Sequence, residues 1–423
     1  LTDTALSPAL GPTRSAQFRD RVLPFLAFAA VLVAIPAFGP SRTWLTLFNS
    51  MGINIVFALS YTMLLGRAGL LSFGHAVYFG LGGYLAMHLM AAIPEGVWGV
   101  AGVFALPVVG FAGGAVAGAV IGWPSCRRAG IPFAMISLGI AELVASAAFI
   151  FVSVFGGEEG ISGDRMKWFD PIAIGGLEID FTMGPLGDVY WFIAFWTFLA
   201  TVLMYAFTRT PLGRMSEAVR DNPERAAFVG YNPQQVRYLV FIAAGGFAGV
   251  GGGMAAVNFE IFTPENLSLA PSGFVLLMAY IGGIRYFAGP ILGAVVLTWM
   301  QSSFSAYTEA WLLYLGLLFI VIVMFAPDGL AGVVARLAKG VTAPGAAPRL
   351  GRWAGRTVAA LVALTGVVVL VEVAVRWSGG YGETFEPFGL PLPADEPITW
   401  VLVGVPIALG LTLLRLAATG DEP

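Results

Sequence analysis

Ser72 and His75 stand three residues apart in the stretch Gly66-Arg67-Ala68-Gly69-Leu70-Leu71-Ser72-Phe73-Gly74-His75, and Glu142 lies inside the apolar run IPFAMISLGIAELVASAAF. A hydroxyl, an imidazole and a carboxylate in apolar surroundings can hydrogen-bond a polar solute, pass a proton or hold an ion. At a spacing of three, Ser72 and His75 share a helical face, and with Gly74 they are candidate pathway or gating residues. The competing role for His75 is a packed ring satisfied by a neighbouring carbonyl. Glu142 must be neutralised, hydrogen-bonded or turned to water, and its competing role is a polar bond between helices. Ser137 lies five residues earlier, so it need not share a face with Glu142. Gly282 and Gly283 join the candidates because MAYIGGIRYFAGP (Met278 to Pro290) is too broken for one lipid-facing helix. Such backbone must be buried in protein, line a cavity or emerge on one side, and Arg285 favours emergence on the inside.

Several chemistries are missing. There is no G-x-x-x-x-G-K-[ST] phosphate loop, so ATP hydrolysis has no site of its own here. One cysteine, Cys126, allows no internal disulfide, and with two distant histidines it makes a Cys/His zinc site unsuitable. No hydrolytic triad is evident. Nor is there a basic aromatic surface for nucleic acid, so no catalytic, cofactor or metal residue is assigned.

The elements that must hold these side chains are membrane helices. The 423 residues are 58% hydrophobic and only 11% charged, against about 25% charged in a soluble domain. Many apolar runs reach the roughly 17 to 25 residues that cross a bilayer, which points to an all-α polytopic protein rather than a barrel of ~10-residue strands. The 55 glycines suggest close helix packing and broken helices. Expected spans are 22–38, 44–65, 68–92, 97–122, 131–155, 189–208, 238–258, 273–283, 290–308, 311–327, 357–375 and 398–414. The eighth is short and broken by glycine. His88 falls near an outer end, as an interfacial residue. The first run is too long for a cleaved signal peptide and is followed by no processing site.

With the N-terminus inside, only Arg42, Arg165, Lys167 and Arg376 of the 22 Lys and Arg fall outside, a strong positive-inside bias. Outer segments 156–187 and 377–397 are acidic. The predicted organisation is a cytoplasmic tail (1–21, polar and disordered), a ten-span core (22–335) with a cytoplasmic segment at 209–237, a linker (336–356) and a two-span C-terminal extension (357–423). Both termini are cytoplasmic. VTAPGAAP, residues 341–348, is expected to be unstructured. The final pair carries little polar material and reads as a packing or targeting appendage.

The cytoplasmic segment TPLGRMSEAVRDNPERAAFVGYNPQQVR (Thr210 to Arg237) contains three cap-and-proline steps, Thr210-Pro211, Asn222-Pro223 and Asn232-Pro233. Each offers an N-cap oxygen before a proline at the first helical position. The pattern predicts a helix over 211–221, a short one over 223–229 closed near Gly230, and then entry into the next span. Met215, Ala218 and Val219 form one face of the first helix, and that face calls for a partner. A docked protein and lipid headgroups both suit it.

Four ordered blocks carry a family likeness. GRAGLLSFGHAVYFGLGGYLA, RRAGIPFAMISLGIAEL, Thr210 to Gly253 and GGIRYFAGPILGA, with a late APDGL (Ala326 to Leu330), closely resemble the LivM-type permeases of branched-chain amino acid ABC importers. The resemblance covers roughly residues 44 to 335 and leaves 340 to 423 outside the usual pattern. It implies a type II-like ABC importer permease in the bacterial inner (plasma) membrane, working with ABC ATPase subunits that hydrolyse the ATP. It also implies a LivH-like homologous permease and a periplasmic or extracellular substrate-binding protein. It favours docking for the polar helix, with Arg214, Glu217, Arg220, Asp221, Glu224 and Arg225 as ATPase-coupling residues. Branched-chain amino acids are the family default. Urea or short amides are the alternative cargo, and an ion-coupled transporter or channel is the alternative class.

Overall fold

The computed structural model describes residues 14–167, 172–174, 177–179, 182–306, 308, 310–342, 362–363, 365–375, 377 and 396–419. The chain divides into two compact units, Leu1–Thr298 and Trp299–Pro423.

The first unit is built on helices α1 (Arg14–Ala37), α2 (Arg42–Thr62), α3 (His75–Ala92), α4 (Val97–Ser125), α5 (Ile131–Ile150), α6 (Val152–Phe155) and α7 (Leu186–Arg209). Two short amphipathic helices follow, α8 (Pro211–Asp221) and α9 (Pro223–Phe228), and then α10 (Pro233–Phe259), α11 (Leu269–Gly282) and α12 (Gly289–Phe304), within which the first unit ends at Thr298. A π-helical turn, Met63–Arg67, prolongs α2. Among the described residues, five helices are long and apolar enough to cross a membrane: Arg42–Arg67, Gly99–Ser125, Ile131–Ile150, Leu186–Arg209 and Pro233–Phe259. The fold is therefore that of a polytopic helical membrane protein. Shorter apolar helices, Val22–Ala37 and Leu269–Gly282 among them, accompany these five.

α10 is the central post, and it packs most extensively on α4, α3 and α2. A Cβ on Gly249 would overlap the Gly110 carbonyl, and one on Gly114 would overlap the Gly245 carbonyl. Lipid gives helices no hydrophobic reason to associate, so this glycine seam lets the backbones of α4 and α10 approach for dispersion contacts instead. Directional bonds join other pairs. Trp196 Nε1 donates to the Phe104 carbonyl at 3.0 Å, Tyr190 to the Leu32 carbonyl at 2.6 Å, and Asn54 Nδ2 to Thr298 Oγ1 at 2.9 Å.

At the end of α10 away from α8, short strands β1 (Ile161–Ser162) and β4 (Ile261–Phe262) pair antiparallel; β2 (Ile172–Ile174) and β3 (Leu177–Ile179) pair antiparallel with each other. Arg165 anchors this end. Its guanidinium donates to the carbonyls of Met183 at 2.7 Å, Asn258 at 3.1 Å and Val257 at 3.2 Å, and it pairs with Glu260 at 3.1 Å. One cation thus satisfies the exposed carbonyl end of α10, where its charge also suits the helix dipole. His88 Nε2 bonds the Val154 carbonyl at 2.8 Å, tying α3 to α6.

The second unit contains α13 (Trp311–Phe325), α14 (Gly329–Thr342), α15 (Thr365–Val375) and α16 (Pro397–Thr419). α13 and the start of α14 are bent by 53° across APDGL and qualify together as a sixth span. The run 357–375 carries an ionisable group, Glu372, whose Oε1 accepts from the Tyr314 hydroxyl at 2.8 Å.

Several expected boundaries shift. α1 begins at Arg14, so the expected disordered tail is helical over its last residues. The span drawn over 68–92 is broken before His75, because Gly69 takes φ +68° and residues 69–74 run without regular structure. Ser72 and His75 therefore do not share a helical face. The span drawn over 131–155 breaks at Phe151, and Gly156 turns the chain at φ +79°. Helix α14 continues to Thr342, so the first two residues of VTAPGAAP are helical. The rest of that linker, together with Glu383, Glu386 and Asp395 of the acidic segment 377–397, lies outside the described residues.

Candidate functional site

The three cap-and-proline steps form as their chemistry dictates. Thr210 Oγ1 accepts from the Gly213 amide at 3.2 Å, Asn222 Oδ1 from Arg225 at 2.9 Å, and Asn232 Oδ1 from Gln234 and Gln235 at 3.0 and 3.3 Å. The prolines occupy first-turn positions where no amide is needed. Gly230, at φ +93°, reverses the chain after α9.

The apolar face of α8 is covered by its own chain. Val219, Ala226 and Val236 form a buried cluster flanked by Leu212 and Met215. This corrects the expectation that the Met215 and Val219 face calls for an outside partner: α9 and the start of α10 supply the cover. Burying Val219 contributes roughly 1.5 to 3 kcal/mol. What stays exposed is the tip, where Phe228 is 90% accessible and Val229 74%, beside the exposed Arg214, Asp221, Glu224 and Arg225.

Two of the charged residues of α8 make contacts with the end of α2, although Arg220 itself stays exposed. Glu217 pairs with Arg67 at the end of the π-helical turn, and Arg220 Nη1 donates to the Gly66 carbonyl while its Nε holds Asp221 at 2.9 Å. The pair is partly exposed and contributes roughly 0.2 to 1 kcal/mol, less than Val219 burial, so it orients α8 more than it holds it. A Cβ on Gly69 would come within 2.8 Å of Arg220 Cγ, and one on Gly66 within 2.9 Å of the Ile284 carbonyl. α8, the unwound segment 69–74 and the turn after Gly283 therefore meet at one place.

From there the unwound segment enters the core. The Phe73 amide donates to Ser137 Oγ at 3.2 Å, the Gly74 amide to Ser72 Oγ at 3.3 Å, and the Ala76 amide to Ser272 Oγ at 3.0 Å. A buried irregular backbone is tolerable only when its amides are satisfied in this way. Ser72 and His75 are both fully buried. Ser60 donates its only proton to the Phe57 carbonyl at 2.7 Å, so the 2.9 Å contact with His75 Nε2 makes that nitrogen the donor. Nδ1 is left as an acceptor with no hydrogen-bond partner among the described residues. Phe57 stacks on the imidazole at 5.5 Å, with Tyr61 and Tyr78 edge-on at 5.2 and 5.8 Å.

The candidates are thus divided. Ser72, Gly74 and His75 share one buried region with Ser60, Ser137 and Ser272. Gly282 and Gly283 sit in the α11–α12 turn, where a Cβ on Gly282 would overlap the Gly289 carbonyl. Glu142 is exposed on the outward side of α5, away from the buried Ser137, and Gly139 beside it has nothing within 4 Å. Sequence reasoning assigned no role to Ser60, Arg67 or Phe228. Phe228-Val229 before Gly230 was the available signal, since two bulky apolar residues interrupt a polar run.

The family model for the permease component of branched-chain amino acid transport systems matches residues 43–326. The high-affinity branched-chain amino acid transport system permease protein LivM of Escherichia coli is 27% identical over 72% of this chain and 74% of its own length. LivH of Salmonella typhimurium is 25% identical over 68% and 94%. The guanosine ABC transporter permease protein NupQ of Bacillus subtilis is 29% identical over only 27% and 36%. No solved structure gives a significant match. A membrane fold wound around a glycine seam, with short capped helices between two of its spans, agrees with a family match covering most of the first unit, and the chain belongs to the branched-chain amino acid transport system permease family.

Proposed function

We propose that the chain is a LivM-type permease subunit of an ATP-driven ABC importer for branched-chain amino acids, in the bacterial inner membrane with both termini cytoplasmic. Partner ATPase subunits dock on α8 and α9 and supply the ATP chemistry that this chain has no motif for. The observation that carries this reading is the exposed tip of Phe228 and Val229 beside Arg214, Glu224 and Arg225. An apolar knob ringed by charge suits a protein groove better than headgroups, because the aromatic anchor becomes desolvated at the centre of the contact.

A second, LivH-like permease completes the path. Glu142 on the outward side of α5 supports this, since a carboxylate facing hydrocarbon is costly whereas one facing a partner or a water-filled passage is not. A substrate-binding protein delivers cargo to the face organised by Arg165. ATP-driven closure of the ATPases moves α8, and the Glu217 and Arg220 contacts carry that movement to residues 66–74.

The test is co-expression with the adjacent permease, ATPase and binding-protein genes, followed by reconstitution. Leucine, isoleucine or valine should stimulate ATP hydrolysis through the binding protein, and Arg214→Ala should reduce that stimulation more than it reduces the amount of permease in the membrane. Stimulation by urea alone would overturn the substrate. Equal loss of permease and transport in Arg214→Ala would overturn the docking role.

A further inference from the structure

Glu142 is the one ionisable residue of α5, a membrane-length helix of 20 residues. At 1.5 Å per residue it sits roughly 16 Å from the start of that helix, near the middle of the span. It is exposed on the outward face, and among the described residues it has neither a hydrogen-bond nor an ion-pair partner. A carboxylate at that depth is tolerated where it faces a water-filled passage or meets a cation.

The surface around Glu142 suits a small solute. Met135, Gly139, Glu142, Ser146 and Phe149 follow one another at spacings of four and three and are all exposed, so they form one stripe along α5. Apolar side chains close the stripe at both ends. Its middle holds the carboxylate, the Ser146 hydroxyl one turn away, and a notch at Gly139, where an added Cβ would meet nothing within 4 Å. Beyond the C-terminal end of α5, the exposed Glu158 and Glu159 place further negative charge on the side from which the proposed function brings cargo.

The opposite face of α5 is fastened to the unwound segment. The Phe73 amide donates to Ser137 Oγ at 3.2 Å, and a Cβ on Gly74 would come within 2.9 Å of the Ala141 Cβ. Glu142 is thus the next residue after the contact through which a shift of residues 69–74 reaches α5. A carboxylate that moves with the transport cycle suits a cation bound and released in every turnover better than a permanent ion pair with a neighbouring subunit.

We infer that Glu142 receives the ammonium group of the transported solute, through a charge-assisted hydrogen bond from its N–H to the carboxylate. This rests on the reading of the chain as an amino-acid permease, and it adds the residue that selects for the ammonium. A solute of the same shape without that group leaves the carboxylate unpaired in the passage and is disfavoured.

The test uses the complete assembly in liposomes, with the second permease, the ATPases and the binding protein. Glu142→Gln should assemble with these partners in parental amounts, while leucine uptake falls at least about ten-fold. Glu142→Asp keeps the charge on a shorter arm and should retain more uptake than Glu142→Gln. In the assembled transporter Glu142→Cys should react with a water-soluble methanethiosulfonate, whereas Cys126, 1% exposed, should not. Absence of leucine uptake by the parent would remove the substrate reading, and the ammonium role with it. With an active parent, four results would each overturn the role of Glu142 alone: unchanged uptake in Glu142→Gln, equal loss in Glu142→Gln and Glu142→Asp, loss of the second permease from Glu142→Gln, or a Glu142→Cys thiol shielded from the reagent.

Discussion

Glu217 on α8 pairs with Arg67 at the π-helical end of α2, 150 residues earlier in the chain. A helix expected to offer its charges to an outside partner spends two of them on its own membrane domain. Under the proposed docking, the exposed residues are the ones left for the ATPase, and the paired ones would convey its movement to the membrane domain.

Breaking that pair should therefore uncouple without unfolding. Glu217→Gln should lower permease stability by no more than about 1 kcal/mol, the ordinary worth of a partly exposed pair. Substrate-stimulated ATP hydrolysis in the reconstituted assembly should fall more steeply than that. Exchanging the charges, Arg67→Glu with Glu217→Arg, should recover part of the loss. Melting curves and ATPase rates on the same preparations provide the check.

Phe228 is expected to anchor the ATPase. With its ring 90% exposed, Phe228→Ala should leave expression and melting temperature unchanged. Truncation of a central aromatic anchor costs about 2 kcal/mol or more in a typical interface, roughly a thirty-fold loss of affinity. Titration of detergent-solubilised permease with the ATPase subunits reads this directly, and unchanged affinity would move the docking surface elsewhere.

The glycine seam makes a stability prediction. Gly249→Ala places a methyl group against the Gly110 carbonyl, which must move. Overpacking of this kind costs about 1 to 3 kcal/mol. Gly139→Ala meets nothing within 4 Å and should change stability by less than about 0.5 kcal/mol. Thermal denaturation followed by size-exclusion chromatography separates the two.

Cys126 closes α4 and is 1% exposed. Burial pushes its thiol up to about 12, with Arg237 acting in the opposite direction. Its folded form thus stays protonated at pH values where an unfolded thiol ionises. Because the thiolate is the nucleophile, maleimide labelling should be negligible from pH 7 to about 9 in the folded protein and rapid after denaturation. The folded state binds the proton more tightly, so this group's contribution to stability falls as pH rises above about 8.5, by about 1.4 kcal/mol per unit until the folded pKa is reached. Mass spectrometry of labelled protein and a pH series of melting curves check both statements.

Local rules made much of this protein legible. The prolines and their preceding Thr210, Asn222 and Asn232 fixed α8, α9 and the start of α10 to within a residue, because a cap is a contact between neighbours in sequence. Hydropathy located the long helices for the same reason: crossing a bilayer is a property of one segment. The break before His75 was harder to read, since six residues with glycines at Gly69 and Gly74 are compatible with a weak helix until the amides of Phe73 and Ala76 find Ser137 and Ser272.

What the sequence by itself determined is an all-helical membrane protein of recognisable family likeness, with a capped polar segment between two of its spans. Which face of α8 is covered was decided only by tertiary structure, because Val236 reaches Val219 through the turn at Gly230. Tertiary structure likewise decided that Glu217 meets Arg67, that His75 lies among Phe57, Tyr61 and Tyr78, and that Glu142 faces outward from Ser137. Propensity and hydropathy act along a chain. Charge pairing, aromatic packing and the direction a helix faces depend on which distant segments the glycines allow to come close.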